Sequence, residues 1–144
     1  MRLPSFLLIC LFVQIGFPQD TQFTAKNLSI NQFVDGTLLL PETTESIPLA
    51  IIVAGSGPTD RDGNQNFMQN NSLKKLAEGL SGHGIGTFRY DKRIVKQIRK
   101  GNVDPNMSFD DFVIDTKSIV AYFQKYPLFN KIYIIGHGQG SLVG

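Results

Sequence analysis

Three stretches hold residue types that could do chemistry: the run Gly136-His137-Gly138-Gln139-Gly140, the polar loop from Gly55 to Gln65, and the basic stretch from Arg89 to Lys100. The glycine run follows Ile132-Tyr133-Ile134-Ile135, which is β-branched and aromatic, too short for a helix, and so expected to be a strand buried on both faces. Small residues directly after such a strand mark a sharp turn, and glycine serves there because its backbone tolerates crowding or a positive φ. A dinucleotide fingerprint would need a third glycine where Ser141 stands, and a phosphate loop would need a lysine that does not follow Gly140, so nucleotide binding is disfavoured. The centre of the run, Gly138, has no side chain and supplies neither hydroxyl nor thiolate for covalent catalysis.

The two histidines need separate arguments. A general base must reach the proton it removes, and adjacency to Gly138 at a sharp turn does not provide that for His137, which reads as structural. His83, within Gly82-His83-Gly84, falls at a helix end where the dipole favours it, and is expected to face solvent. Their separation gives no metal-site spacing. The basic stretch sets Arg89, Lys92, Arg93, Lys96, Arg99 and Lys100 against Asp91. It reads as a solvated loop or helix face, with binding of an anionic substrate or membrane surface as the alternative. Nucleic-acid recognition is disfavoured, because no aromatic interleaving accompanies the charge.

The elements that must position these stretches follow from periodicity. Leu28-Ser29-Ile30 and Thr37 to Leu40 flank Asp35-Gly36, which favours a tight turn, so an antiparallel pair at a sheet edge is expected. Leu49 to Ala54 is a continuous apolar run of the kind buried in a parallel sheet, and it leads straight into the polar loop. Loops leaving the carboxyl ends of parallel strands line the usual ligand crevice. Leu73, Leu76, Ala77 and Leu80 recur at helical spacing, with Asn71 or Ser72 as cap and Gly82 or Gly84 as stop. Ile85 to Tyr90 is a short strand. Ser108 and Asp111 fit a capping box ahead of a helix through Phe109, Phe112, Val113, Thr116, Ile119, Val120 and Phe123, which Tyr126-Pro127 closes. Alternating strands and helices predict an α/β unit with a mostly parallel sheet.

The chain has 144 residues, a formal net charge of +2, and one cysteine, Cys10. Its length suggests one domain. Residues 1–19 look like a secretory signal peptide: Arg2 is the basic start, Phe6 to Val13 the apolar core, and Gln14 and Pro18 follow. That core is shorter than the roughly 20 residues that span a bilayer. Cys10 lacks the small residue before it that a lipoprotein cleavage box requires, so a lipid anchor is not expected. Cleavage between Gly16 and Asp20 would leave a domain over 20–144 with no cysteine, hence no disulfide or thiol site, in a secreted or periplasmic setting without stable membrane insertion. Removing Arg2 leaves 13 basic against 12 acidic side chains, too near neutral for a nucleic-acid footprint.

Taken in order, Ile51 to Asn64, Leu76-Ala77-Glu78, Phe88-Arg89-Tyr90-Asp91-Lys92-Arg93 and Gly136-His137-Gly138-Gln139-Gly140 resemble the secreted bacterial α/β-hydrolases of the serine aminopeptidase and dienelactone-hydrolase-like group. The likeness covers nearly all of Leu38 to Gly144, and the glycine run resembles the G-x-S-x-G nucleophile elbow of that superfamily. It implies the N-terminal half of an α/β-hydrolase fold, with a mostly parallel sheet and flanking helices. It also implies hydrolysis of a small acyl ester, amide or peptide through a serine acyl-enzyme, with no cofactor and no metal. Matched residue by residue, Ser56 would offer the first oxyanion-hole N–H and Gln139 the second, and two such fixed donors stabilise a tetrahedral intermediate without reorganising. The other reading of Ser56 is a hydroxyl that caps a turn. His137 matches the residue before the nucleophile, whose side chain packs or hydrogen-bonds beneath the turn.

The sequence departs from that pattern. Gly138 stands where the family has serine, and Arg93-Ile94-Val95-Lys96 stands where it places glycines, which bears on the shape of the crevice loop. In the family the acid and histidine follow the nucleophile, whereas six residues follow Gly138, so an incomplete, inactive hydrolase domain is expected. An apolar sheet edge left open would then favour self-association. The alternative is a non-catalytic secreted binding protein on a hydrolase scaffold.

Overall fold

The computed structural model describes residues 22–144. The expected signal peptide over residues 1–19 lies outside the described residues. Five strands, β1 (Phe23–Ser29), β2 (Asp35–Pro41), β3 (Ile47–Val53), β4 (Gly86–Tyr90) and β5 (Phe129–Gly136), form one sheet in the order β1-β2-β4-β3-β5. β2 runs antiparallel to both β1 and β4, and only the β4–β3 and β3–β5 pairings are parallel. The sheet is therefore mixed, which corrects the expectation of a mostly parallel one. Parallel pairing needs a long crossover, and only β3, β4 and β5 are joined by helices; β1 and β2 are joined by a five-residue loop, which brings the chain straight back.

That loop also corrects the expected Asp35-Gly36 turn, since both residues already belong to β2. The reversal is made by Asn31, whose side-chain oxygen accepts the N–H groups of Phe33 and Val34 at 2.8 and 3.0 Å. Such side-chain mimicry of a turn is what favours asparagine there. Gly36 has a different task. A Cβ on it would lie 2.2 Å from Cζ of Phe88, so its bareness admits the ring into the core.

Three helices flank the sheet: α1 (Ser72–Gly82), α2 (Arg93–Lys100) and α3 (Phe109–Phe123). The alternation of β3 divides its side chains between two layers. Ile52 and Ala54 pack with Leu39 against Leu73 and Ala77 of α1. Leu49, Ile51 and Val53 pack with Phe88 against Ile119 and Phe123 of α3. The Phe88 and Phe123 rings meet edge to face with centroids 4.9 Å apart, an arrangement worth about 1 kcal/mol beyond the burial itself. The capping box of α3 is present, with the Ser108 N–H donating to the Asp111 carboxylate at 2.8 Å.

β5 departs from the expected strand buried on both faces. Tyr133 is 50% and Ile134 39% exposed, because β5 is the last strand of the sheet and among the described residues pairs with β3 alone. No helix of the described residues is long and apolar enough to cross a membrane.

Candidate active site

The site grows from the order of the central strands. β3 lies between β4 and β5, so the chain leaves β3 toward one side of the sheet and returns on the other. The loops after β3 and β5 must then meet at the carboxyl ends, at a topological switch point. Val53 is paired with Gly136, and the His137 N–H donates to the Val53 carbonyl at 3.0 Å. Gly55 and Gly138 consequently face each other.

The glycines of the second turn differ in why they are needed. A Cβ on Gly136 would lie 2.4 Å from the Ser141 backbone, and one on Gly140 would lie 2.4 Å from the Val53 carbonyl oxygen. Both are excluded by backbone. Gly138 has φ 53°, and a Cβ there would meet only Gly55 Cα, at 3.8 Å. The apex of the turn is thus left-handed, exposed and open, with space for a side chain that the residue does not carry. A short 3-10 helix, Gly138–Leu142, follows, and the Ser141 hydroxyl donates to the Gly138 carbonyl.

The first loop is held from behind. The Ser56 carbonyl accepts the Thr59 hydroxyl at 2.9 Å and the Gln65 amide at 2.8 Å, while Asp60 accepts the N–H groups of Asp62 and Asn64. Among the described residues, the backbone N–H groups of Ser56 and Gln139 donate to no protein group. The Ser56 hydroxyl caps nothing among those residues either. Ser56 is exposed and Gln139 half-buried.

Neither histidine has a carboxylate partner among the described residues. His137 is exposed, with Nδ1 3.0 Å from where a Gly55 Cβ would be, so its ring lies against the first loop rather than beneath the turn. His83 is exposed as expected, and its Nδ1 lies 2.8 Å from the Gly79 carbonyl at the end of α1. No group of three or more His, Cys, Asp or Glu side chains among the described residues could hold a metal ion.

The basic stretch is the part that sequence reasoning missed. Its first part is not a solvated face, since Arg89, Asp91, Lys92 and Arg93 are all buried, whereas Lys96 is half-buried and Arg99 and Lys100 are exposed as a solvated helix face would be. Arg89 pairs with Asp62 at 2.9 Å, Lys96 with Asp35 at 2.7 Å, and Arg93 with both Asp111 and Asp115 of α3, at 2.6 and 2.7 Å. Asp91 accepts the Arg61 N–H, the Arg61 guanidinium and Arg99. Burial pushes the Asp91 carboxyl up, but the hydrogen bonds and charge of Arg61, with the charge of Arg99, bring it below the ordinary aspartate value. Among the described residues, Lys92 alone of the buried cations has no carboxylate partner. Its Nζ donates to the Gly55 carbonyl at 3.0 Å and to Gln139 Oε1 at 3.2 Å, and stands 4.4 Å from the centroid of the Phe112 ring. Burial pushes its pKa down. Where glycines were expected after Arg93, the chain instead coils into α2.

No family model matches the chain. The α/β hydrolase GrgF from a Penicillium species superposes with a TM-score of 0.59 at 19% identity, over 85% of this chain and 39% of that one. The dienelactone hydrolase of Anabaena variabilis superposes with a TM-score of 0.60 at 16% identity, over 86% and 55%. The fold is that of the α/β-hydrolases. In sequence, the chain is 29% identical over 123 residues to Esterase EstD of Thermotoga maritima, which is 84% of this chain. It spans 28% of the length of that esterase. In this chain the turn at Gly138 follows β5, the last strand of the sheet, and the loop at Ser56 follows the neighbouring strand β3.

Proposed function

We propose that Ser56, Gly138 and Gln139 form the acyl site of an ester- or amide-hydrolysing scaffold whose nucleophile position is held by glycine. The observation that carries this is the open, left-handed apex at Gly138 beside two unengaged N–H groups, those of Ser56 and Gln139. Two unengaged backbone donors on neighbouring loops would suit an oxygen bearing negative charge, either the oxyanion of a tetrahedral intermediate or one oxygen of a carboxylate. Gly138 has no side-chain atom that could attack, and His83 and His137 have no carboxylate to orient them among the described residues. On this reading the 144-residue chain recognises small acyl groups and does not turn them over.

The test has two arms. Purified protein is expected to hydrolyse p-nitrophenyl acetate at the buffer rate and to take no fluorophosphonate label. Gly138→Ser is expected to remain slow, because the members of a catalytic triad act as a unit. Turnover well above buffer, or an adduct at the turn, would overturn the inactive assignment. Butyrate is expected to shift the amide resonances of Ser56 and Gln139, and an unshifted pair would remove the acyl-site assignment. We further propose export with loss of residues 1–19, read by an N-terminus between Phe17 and Thr21 in intact-mass measurement. Self-pairing along the exposed edge of β5 is the matching proposal for assembly, read by light scattering against concentration.

A further inference from the structure

A buried lysine without a carboxylate is an expensive feature. Taking an ammonium out of water costs several kcal/mol unless a strong partner replaces the hydration. Lys92 is 5% exposed, and among the described residues it has two neutral oxygen acceptors and one aromatic face. A methionine would fill the same space with no charge to desolvate, so stability by itself does not account for a lysine here.

The acceptors explain it. The Gly55 carbonyl and the Ser56 N–H belong to one peptide group, which is planar and trans, so the two point in opposite directions. Whatever grips the carbonyl therefore also fixes the direction of the N–H on the opposite side of the peptide. The second acceptor, Gln139 Oε1, belongs to the residue whose own N–H is the other unengaged donor. Lys92 follows the end of β4, and its ammonium reaches both the loop after β3 and the turn after β5. One ammonium thereby joins the two halves of the donor pair, and its charge draws electron density from the Gly55–Ser56 peptide, which strengthens that N–H as a donor.

We propose that Lys92 is the positioning residue of this site, fixing the direction of the Ser56 N–H through the Gly55 carbonyl and tying Gln139 to the same point. The claim rests on the acyl-site reading for its purpose. Its geometry is separately measurable.

The experiment compares the full chain with Lys92→Met by residual dipolar couplings of backbone N–H vectors. Methionine keeps the apolar stem and removes the donor. The expected result is an unchanged or raised urea midpoint, couplings along β3 from Leu49 to Val53 that match the parent, and a Ser56 coupling reduced at least twofold by motion, with Gln139 also displaced. Butyrate affinity is expected to fall at least tenfold. Ser56 and Gln139 couplings that match the parent would overturn the proposal, whatever butyrate does. If instead the couplings change but the parent does not bind butyrate, Lys92 positions the donors and it is the acyl reading that fails. A Lys92→Met chain that unfolds assigns the lysine a structural role unless the parent shows two things: a through-hydrogen-bond coupling from Lys92 Nζ to the Gly55 carbonyl carbon, and a rigid Ser56 coupling. Their absence would overturn the proposal without recourse to any variant.

Discussion

Adding one methyl group at each glycine of the second turn separates the residues that build it from the one that leaves it empty. At Gly140 the new Cβ would stand 2.4 Å from the Val53 carbonyl oxygen and 2.7 Å from that of Ala54. Non-bonded atoms settle near 3.5 Å, so the turn must retreat by about 1 Å from the end of β3. The Val53 carbonyl also receives the His137 N–H at 3.0 Å, and that bond is lost in the retreat. Overpacking of this kind costs about 1–3 kcal/mol and the bond about 1 kcal/mol more, so Gly140→Ala is expected to destabilise by about 3 kcal/mol. Gly136→Ala faces the Ser141 backbone at the same 2.4 Å and belongs with it. Gly138→Ala meets no such obstacle. Its φ of 53° costs a residue with a Cβ about 1 kcal/mol, of which roughly half returns through the stiffer unfolded chain. Urea unfolding followed by far-ultraviolet circular dichroism reads the three differences. A Gly138→Ala loss equal to that of Gly140→Ala would show that the apex is closed. A Gly140→Ala loss below about 0.5 kcal/mol, within the range of ordinary surface changes, would show that the turn does not press on β3.

Asp115→Asn is expected to cost about 3 kcal/mol in the same assay, because it leaves the buried Arg93 guanidinium short of its bidentate partner; a loss under about 1 kcal/mol would sink that account. The pH dependence follows from Asp91, whose folded pKa lies below its unfolded value. The unfolded chain then binds the proton first, so stability is complete above about pH 4, where an unfolded aspartate titrates, and declines as pH falls through the lower folded value. Asp91→Asn is expected to be less stable at neutral pH and to show a shallower decline between about pH 5 and 3, the range around that titration; a slope equal to the parent's would remove Asp91 as a source of the acid sensitivity.

What was legible in the sequence was whatever rests on local pattern. The helix from Phe109 to Phe123 carries an apolar stripe and its own cap, and β3 is an unbroken apolar run, so both read directly. The candidate donors Ser56 and Gln139 came from the resemblance to the α/β-hydrolase pattern, matched residue by residue, and not from periodicity or spacing. The antiparallel pairing of β1 with β2 was legible from the two short apolar pieces, but the antiparallel join of β2 to β4 was not, because nothing within β2 states which second neighbour it takes. The turn at Asn31 was hidden behind a stronger local signal at Asp35-Gly36. The largest miss was the first part of the basic stretch, Arg89 to Lys96, since the carboxylates that pair with it, Asp62, Asp35, Asp111 and Asp115, lie far away in the chain. A signal did exist. The helix holding Asp111 and Asp115 sets two carboxylates four residues apart on one face, an arrangement with no purpose on a solvated helix but well suited to a guanidinium.

The segment Asp91-Lys92-Arg93 changes how the site is understood. Three successive side chains leave the end of β4 and each fastens a different neighbour: Asp91 the loop after β3 through Arg61, Lys92 both loops at the apex, and Arg93 the helix α3. None of them needs a nucleophile at position 138. On the proposed reading, the frame that holds the Ser56 and Gln139 backbone is built from β3, β4 and α3, while the reactive atom of a hydrolase would come from one side chain on the turn after β5. Replacing that side chain with hydrogen deletes the chemistry and leaves the ion pairs, the Lys92 bridge and the crowded contacts of Gly136 and Gly140 in place. On the proposed acyl-site reading, recognition and turnover are therefore separable: a glycine at the apex would leave the two backbone donors in place and leave open space beside them.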